Sequence, residues 1–151
     1  MTQITKGDKI PQFSLKDHDG VEFNIRDHLG HPMVIYFYPK DDTPGCTREA
    51  CSFRDHYEEF TSAGITVIGI SEDSPEIHHT FRKKYQLPFT LLSDDKGKVR
   101  KLFGVSKNLF GLIPARITFV VDESGIVKHV FKSQILATQH VKEALKIIDK
   151  L

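Results

Sequence analysis

The chain has 151 residues and a mass of 17.2 kDa, so it can bury a hydrophobic core without disulfides or a structural metal. Hydrophobic residues make up 39% and charged residues 27%, and 21 basic residues against 20 acidic ones give a formal charge of +1. Because the two signs are interspersed along the chain, the pattern argues against a nucleic-acid-binding surface and against a polybasic membrane patch.

The start of the chain shows no targeting signal. Residues 1–13 lack the charged and then apolar profile of a signal peptide, and no apolar stretch approaches the roughly 18 residues that span a bilayer. We therefore expect an intracellular, cytosolic protein. In a reducing compartment a permanent disulfide is unfavourable, so a close pair of cysteines is more often metal-binding or redox-active.

Turn residues and apolar runs divide the chain into strands and helices. Alternating residues around Asp19-Gly20 predict a hairpin, and continuous apolar runs predict strands that are covered on both faces. In chain order, the predicted strands (β) and helices (α) are β 13–15, β 22–24, β 33–38, α 47–63, β 65–70, α 75–85, β 89–92, α 97–103, β 116–121, β 126–131 and α 139–151.

The order of these elements predicts the fold class. Alternating strands and helices, followed by a terminal hairpin and a helix, indicate an α/β fold with a layered sheet. The last helix carries an apolar stripe along one face, as expected for a helix that packs on a sheet. The sequence has no internal repeat and no linker, so we expect one domain that covers residues 1–151.

Both cysteines of the chain, Cys46 and Cys51, lie within the stretch YPKDDTPGCTREAC. Cys46 follows a turn and opens the predicted helix, where unpaired backbone N–H groups and the positive end of the helix dipole stabilise a thiolate. Thr43 precedes it by three residues and can place a hydroxyl beside the sulfur. A free cysteine is more commonly a small buried hydrophobe, but the polar residues on either side of Cys46 favour a reactive thiol.

The pair has three possible uses: a structural disulfide, half of a metal site, or two thiols that react in turn. A zinc site needs a second pair of ligands at matching spacing, and none is present, so the histidines are interpreted as surface or loop residues: His18, His28, His31, His56, His78, His79, His129 and His140. In one intact helix the two Cα atoms would be about 8.7 Å apart, whereas a disulfide tolerates about 7 Å. A bond would require the helix to unwind, which favours two thiols that react in turn.

The residues around Cys46 match the signature of a known family. Pro39-x-x-x-Thr43-x-x-Cys46 fits the pattern P-x-x-x-[TS]-x-x-C of peroxiredoxins. The stretches FSLKDHDG, VIGISEDSPE, LPFTLLSDDKGKV and PARITFVVDESGIV follow in the expected order over nearly the whole chain. The sequence thus resembles the bacterioferritin comigratory protein, or peroxiredoxin Q, subfamily. The resemblance implies a thioredoxin-like fold of the peroxiredoxin type, with a central mixed sheet, flanking helices and an N-terminal β-hairpin.

The resemblance also implies a thiol peroxidase that acts on hydrogen peroxide and organic hydroperoxides. Cys46 corresponds to the peroxidatic cysteine and Cys51 to the resolving cysteine of many members. Thr43 would orient the peroxide, and Pro39 would shield the thiolate from solvent. Arg116 corresponds to an arginine that reaches the site from a distant strand, and an arginine within an apolar strand needs an anionic partner.

Further expectations concern partners and one acidic residue. The usual reductant of the family is thioredoxin, sometimes a glutaredoxin; no cofactor or metal is required, and the subfamily favours a monomer. Glu49 either stabilises the start of the helix through its charge or forms a hydrogen bond in the active site, and the sequence leaves both readings open.

Two other functions are compatible with a thioredoxin-like fold. A thiol–disulfide oxidoreductase would more often use C-x-x-C than the C-x₄-C of this chain. A non-enzymatic holdase on the same fold would need exposed apolar surface, which the polar predicted loops do not indicate.

Overall fold

A mixed β-sheet lies at the centre of the computed structural model, which describes residues 3–108 and 113–151. The strands are β1 Ser14–Asp17, β2 Glu22–Asn24, β3 Met33–Phe37, β4 Thr66–Ser71, β5 Thr90–Ser93, β6 Lys107–Asn108, β7 Ile113–Pro114, β8 Ile117–Val121 and β9 Val127–Lys132. The helices are α1 Pro44–Asp55, α2 Tyr57–Ser62, α3 Pro75–Lys84, α4 Lys98–Leu102 and α5 Gln139–Ile147, with 3-10 segments at Ile25–His28 and Ile148–Lys150.

Seven strands form this sheet in the order β2-β1-β5-β4-β3-β8-β9. The central strand β3 pairs in parallel with β4 and antiparallel with β8, and β4 pairs in parallel with β5. The hairpin β1–β2 joins the sheet antiparallel to β5. The predicted thioredoxin-like arrangement, with a mixed sheet and an N-terminal hairpin, is confirmed.

The sheet separates two hydrophobic clusters, which explains why its central strands are apolar throughout. Alternate residues of a strand point to opposite faces: Ile35 and Phe37 join one cluster, and Val34 and Tyr36 join the other. The second cluster also receives the buried faces of α1, α2, α3 and α5, including Cys46. The sequence therefore places Cys46 on a helix that packs directly against the central strand.

The segment around Cys46 differs from the predicted elements. The helix predicted for residues 47–63 is two helices, with a break at His56. It also begins earlier, because Pro44 suits the first turn of a helix, where its missing N–H is not needed. Gly64 has a φ of +73°, the left-handed conformation that ends α2 as predicted.

Elsewhere the predicted boundaries hold to within one or two residues, with two exceptions. The C-terminal helix finishes as a 3-10 segment, and the two-residue strands β6 and β7 pair with each other in a small separate sheet that was not predicted. Ser74 caps α3 as predicted, since its side chain accepts a hydrogen bond from the backbone N–H of Ile77. In the described part of the chain, no helix has the length and apolarity needed to cross a membrane.

Candidate active site

Cys46 lies in the first turn of α1, at the end of the loop that leaves β3. Its side chain is 1% exposed and packs in the cluster that contains Tyr36, Ala50 and Phe53. The polar neighbours in sequence predicted a reactive thiol, which stays a prediction; burial of the side chain does not contradict it. The thiol is buried while its backbone remains at the N-terminal end of the helix dipole, which favours a negative charge.

Thr43 and Pro39 belong to the same loop. Thr43 is the residue that precedes α1, but its hydroxyl does not cap the helix; it donates to the backbone oxygen of Lys40 at 2.8 Å. Pro39 is half-buried and directly follows the buried end of β3. Both residues predicted for the site therefore lie at the approach to Cys46.

Arg116 reaches Cys46 from the residue that precedes β8. It is 5% exposed, and its guanidinium lies beside Gly45, the residue that precedes Cys46. The side chain passes over Gly45, where an added Cβ would lie 3.0 Å from Nη2 of the guanidinium. Because Gly45 has no side chain, the guanidinium of Arg116 has the space to lie next to the start of α1, where Cys46 is located.

Other contacts fix the guanidinium in place. Its Nη1 donates to Oε1 of Glu49 at 2.7 Å, and its Nε donates to the backbone oxygen of Gln134 at 3.2 Å. Burial acts to lower the pKa of Arg116, but the charge and hydrogen-bonding effects of the ionisable side chains of Glu49 and Cys46 outweigh it, and the pKa is raised. The buried arginine therefore keeps its charge, and it has the anionic partner that the sequence required.

Glu49 lies in the second turn of α1 and is completely buried, with 0% exposure. Because the helix begins at Pro44, Glu49 is too far along it to stabilise the first turn, so of the two readings the structure favours the hydrogen bond inside the site. Burial raises the pKa of Glu49 to about 8, opposed by the charge and the hydrogen bond of Arg116. In the described residues, the second carboxylate oxygen, Oε2, has no hydrogen-bond partner.

His140 of α5 lies behind Glu49. It is also completely buried, so its interpretation as a surface residue was wrong. Its Nε2 donates to the backbone oxygen of Ser133 at 2.8 Å, and its Nδ1 lies 2.8 Å from the hydroxyl of Thr118 and 3.7 Å from Oε2 of Glu49. Burial, with a smaller effect from Arg116, lowers the pKa of His140 to about 4. We call Glu49, Arg116, Thr118 and His140 the Arg116 cluster.

A second buried polar group lies beneath the loop that leads to Cys46. This Asp41 cluster consists of Tyr38, Asp41, Ser71, Asp73 and His78. Oδ1 of Asp41 accepts a hydrogen bond from the hydroxyl of Tyr38 at 2.5 Å, and Oδ2 of Asp41 lies 2.5 Å from Nδ1 of His78. Asp73 accepts the backbone N–H of Asp41 at 2.8 Å and the hydroxyl of Ser71 at 2.6 Å. Nε2 of His78 contacts a backbone oxygen of β5 at 2.9 Å.

His78 corrects a second expectation about the histidines. It was interpreted as part of a solvated helix face, but it shares the buried face of α3 with Phe81, three residues later. The ligand atoms of Asp41, Asp73 and His78 lie within 4.8 Å of one another, a spacing that a metal ion can use. Protein hydrogen bonds already occupy both oxygens of Asp41 and both nitrogens of His78. The donor set therefore fits a structural network.

Cys51 lies on the same helix as Cys46. Cys51 is partly buried, and its thiol is free, like that of the buried Cys46. Burial raises the pKa of the Cys51 thiol. Both cysteines fall within α1, Pro44–Asp55, so helix geometry separates their Cα atoms by about 8.7 Å. The structure thus brings Arg116 to the start of α1, where Thr43 and Cys46 lie, but it does not bring Cys51 within bonding distance of Cys46.

Sequence reasoning missed the partners of Arg116, although the pattern contained a signal. Cys46, Glu49, Ala50 and Phe53 follow the helical spacing of one buried face, so a glutamate on that face had to be buried. His140 precedes Val141 and lies four residues before Ala144, both of which were assigned to the apolar stripe of α5. His140 thus stands on the apolar stripe predicted for the last helix, whereas the buried face of α1 that holds Glu49 was not identified from the sequence.

Comparison with known proteins places this site in a family. The model of the AhpC/TSA family matches residues 6–130. A chloroplastic peroxiredoxin Q of Sedum lineare is 50% identical over 149 residues, which cover 99% of this chain and 80% of that protein. The chloroplastic peroxiredoxin Q of Arabidopsis thaliana is 47% identical over 146 residues, which cover 97% of this chain and 68% of that protein.

Solved structures agree with the sequence relatives. The peroxidoxin BcpB from Mycobacterium tuberculosis superposes with a TM-score of 0.91 at 34% identity, over 99% of both chains. Peroxiredoxin Q of Xanthomonas campestris gives a TM-score of 0.84 at 34% identity, over 91% of this chain and 90% of that one.

The same relatives correct one expectation. The plant proteins are named chloroplastic, which contradicts the predicted cytosolic location; that prediction rested only on missing signals, namely a signal peptide and a long apolar stretch. The family match, the relatives and the solved structures otherwise agree with the resemblance seen in the sequence. The chain belongs to the AhpC/TSA family, in its peroxiredoxin Q and bacterioferritin comigratory protein branch, and it is a peroxiredoxin peroxidase.

Proposed function

We propose that this peroxiredoxin reduces hydrogen peroxide and organic hydroperoxides at Cys46, that Cys51 resolves the oxidised cysteine, and that thioredoxin or a glutaredoxin restores the dithiol. The observation that supports this most strongly is the buried guanidinium of Arg116 against Cys46 in the first turn of α1. A fixed cation and a helix N-terminus both favour the thiolate, which is the nucleophilic form of cysteine.

The first step is a displacement at oxygen. The Cys46 thiolate attacks the terminal oxygen of the hydroperoxide, the S–O bond forms, and the O–O bond breaks. The electron pair of that bond leaves on the second oxygen, which takes a proton to become water or an alcohol. Donors aimed at the growing charge lower the barrier. In this proposal Arg116 and the free N–H groups of α1 supply them, and the Thr43 hydroxyl contributes only after it gives up its hydrogen bond to the backbone oxygen of Lys40.

The second step forms a disulfide. Cys46 is now a sulfenic acid, which condenses with a thiol and releases water. Cys51 can be that thiol only if the first part of α1 unwinds, because the intact helix holds the two residues too far apart. An external dithiol then reduces the disulfide by exchange. No step requires a metal or a cofactor.

The surroundings of the site fit an apolar substrate as well as hydrogen peroxide. Ile135 and Leu136 are 85% and 57% exposed, and they directly follow Gln134, which contacts Arg116. This exposed pair was not expected from the predicted loops. In this proposal the organic part of a hydroperoxide contacts this pair, which supports organic hydroperoxides as substrates. The subfamily resemblance favours a monomer.

The alternative functions receive less support. In a thiol–disulfide oxidoreductase with these two cysteines, the pair would have to bridge readily, but both lie within one intact helix. A holdase would have no use for a buried arginine held against a buried thiol. Neither alternative explains why Gly45 leaves space for Arg116.

The experiment that tests the proposal uses intact mass and peroxide consumption. We expect Cys46→Ser to abolish peroxidase activity with thioredoxin as the reductant. The matched control, Cys51→Ser, should still react once with hydrogen peroxide, because the attacking thiol is intact. One equivalent of hydrogen peroxide should remove two hydrogens from the reduced parent protein, as a disulfide requires.

Other results would contradict separate parts of the proposal. A gain of one oxygen in the parent protein would mean that Cys46 reacts but Cys51 does not resolve it. An unchanged mass, with both thiols still titratable, would reject Cys46 as the peroxidatic residue. Activity that survives in Cys46→Ser would do the same.

A further inference from the structure

Glu49 has an unusual position for a buried acid. One oxygen accepts the guanidinium of Arg116 at 2.7 Å, while Oε2 has no hydrogen-bond partner in the described residues. An unpaired carboxylate oxygen in an apolar interior is costly, whereas a protonated one becomes a donor that needs an acceptor. The nearest ring nitrogen is Nδ1 of His140, at 3.7 Å.

The hydrogen bonds of His140 fix its tautomer. Nε2 faces the backbone oxygen of Ser133, which can only accept, so Nε2 carries the proton. Burial holds the pKa of His140 down at about 4, so the ring is neutral near pH 7. Its Nδ1 is therefore an acceptor, turned towards both the hydroxyl of Thr118 and the unpaired oxygen of Glu49.

The charges around Arg116 explain why this acceptor matters. The guanidinium has two possible anionic partners, the Cys46 thiolate and the Glu49 carboxylate. One buried cation matches one anion, and a second anion beside the first is disfavoured by repulsion and by burial. Tyr36 is the other titratable group near Glu49, and burial raises its pKa well above the usual value, so it stays neutral. A neutral Glu49 consequently leaves the charge of Arg116 to Cys46.

We propose that His140 is a positioning residue of the peroxidase: through Nδ1 it accepts a hydrogen bond from the protonated carboxyl group of Glu49, keeps Glu49 uncharged, and so reserves Arg116 for the Cys46 thiolate. The contact closes when the Glu49 side chain rotates from 3.7 Å to hydrogen-bonding distance, in competition with the Thr118 hydroxyl. The proposal rests on the proposed role of Cys46, and it assigns His140 no contact with the substrate.

Two amide substitutions of His140 separate its two nitrogens. In His140→Asn the short side chain can keep an acceptor near the place of Nδ1 and loses the donor to Ser133. In His140→Gln the longer side chain can keep that donor and loses the acceptor that faces Glu49. The measurement is the rate constant for the reaction of Cys46 with hydrogen peroxide in a single turnover, as a function of pH.

We expect the midpoint of this pH profile to rise by about one unit in His140→Gln, which lowers the rate about tenfold on the acidic side. In His140→Asn the midpoint should stay close to that of the parent protein. A residue that only supports the fold would change the melting temperature in both variants and leave the midpoint in place. Equal midpoints in the parent and His140→Gln, with both folded, would overturn the proposal.

A second substitution tests whether His140 acts through Glu49. Glu49→Gln has the shape of the neutral acid, with an amide group that can donate towards Nδ1. Adding His140→Gln to Glu49→Gln should therefore produce no further shift of the midpoint. A full additional shift in the double variant would show that His140 acts by another route, and the proposal would fail.

Infrared spectroscopy of the parent protein, with Glu49→Gln as the reference, tests the protonation of Glu49 directly. The infrared spectrum at neutral pH should contain the C=O band of a buried carboxylic acid, which is missing in Glu49→Gln and is lost as the pH rises past about 8. Absence of that band from the parent would also reject the proposal. Failure of the proposed function is a different result, because Cys46→Ser would then still consume peroxide.

Discussion

The Asp41 cluster and the Arg116 cluster are both buried and polar, and they are built in different ways. In the Asp41 cluster, both oxygens of Asp41 and both ring nitrogens of His78 have hydrogen-bond partners. The Arg116 cluster leaves Oε2 of Glu49 without one in the described residues and presses its cation against a thiol.

This contrast indicates a division of work. A fully satisfied buried network holds its members in one arrangement and contributes to a unique structure. An incompletely satisfied one is retained at a cost in stability, which is a common property of functional sites. We infer that the Asp41 cluster anchors the active-site loop, whereas the Arg116 cluster sets the charge of the reacting thiol.

The largest effect should follow from removing the guanidinium. Arg116→Met should lower the rate of the peroxide reaction about 10²–10³-fold, as expected when a donor to developing charge is lost. The free energy of unfolding should fall by less than the activation free energy of the peroxide reaction rises, because Glu49 can remain protonated without its partner. Stopped-flow kinetics and urea denaturation measure the two effects.

Arg100→Met is the matched control for that variant. Arg100 is buried to a similar degree, at 8% exposure, and pairs with Glu72 at 3.0 Å, but it has no contact with the cysteine. We expect this variant to lose stability and to keep the rate of the peroxide reaction. If the two variants lost rate equally, Arg116 would be acting through the fold.

The next effect concerns the Asp41 cluster. His78→Gln removes the ring that pairs with Asp41 and leaves a buried carboxylate without one partner, so the free energy of unfolding should fall by about 3 kcal/mol. Its neighbour His79 is exposed and contacts Asp19 at 3.3 Å, so His79→Gln should change the stability by no more than about 0.5 kcal/mol. Urea denaturation of both variants checks this. Similar small losses in both would mean that the Asp41 cluster does not anchor the fold.

The smallest effect is a dependence of stability on pH. The folded protein holds a proton on Glu49 up to about pH 8, whereas the unfolded chain releases it near 4.5. The protonated Glu49 therefore contributes to the free energy of unfolding at low pH, and this contribution is lost as the pH rises through about 8. The effect of His140 on stability has the opposite dependence on pH: its contribution to the free energy of unfolding is present above pH 6.5 and is lost as the pH falls through about 4.

These two contributions oppose each other between about pH 4.5 and 6.5, and Glu49 acts without that opposition between about 6.5 and 8. We expect the free energy of unfolding to decrease, by an amount on the order of 1 kcal/mol, across the upper window. Glu49→Gln should flatten the curve there. Denaturation curves at three pH values in that window test the sign, and stability that increases with pH would contradict it.

The sequence predicted the fold well where local patterns determine the structure. The strands of the central sheet follow from continuous apolar runs, and the capped start of α3 follows from Ser74 and Pro75. The start of α1 was missed because Pro44 was treated as part of a turn, and β6 and β7 are too short to leave any periodic pattern.

The site was predictable in part. Cys46, Thr43 and Pro39 are close in sequence and match a motif, and Arg116 stood out as a charge in an apolar strand. The burial of Glu49, His78 and His140 depends on partners that are 20 or more residues away, such as Arg116 for Glu49. A local pattern shows that a polar residue lies on an apolar stripe, but it does not show which distant residue will satisfy it.

The distances along the chain also order the events of synthesis. Cys46 and Cys51 leave the ribosome some 65 residues before Arg116, and His140 follows later still. A nascent chain that ends within α3 has both thiols but lacks Arg116, and β3 still lacks its antiparallel partner β8. Long-range pairing of this kind forms late in folding. We expect the cysteine to become strongly reactive only when the last third of the chain has docked, so incomplete chains are spared from oxidation at this position.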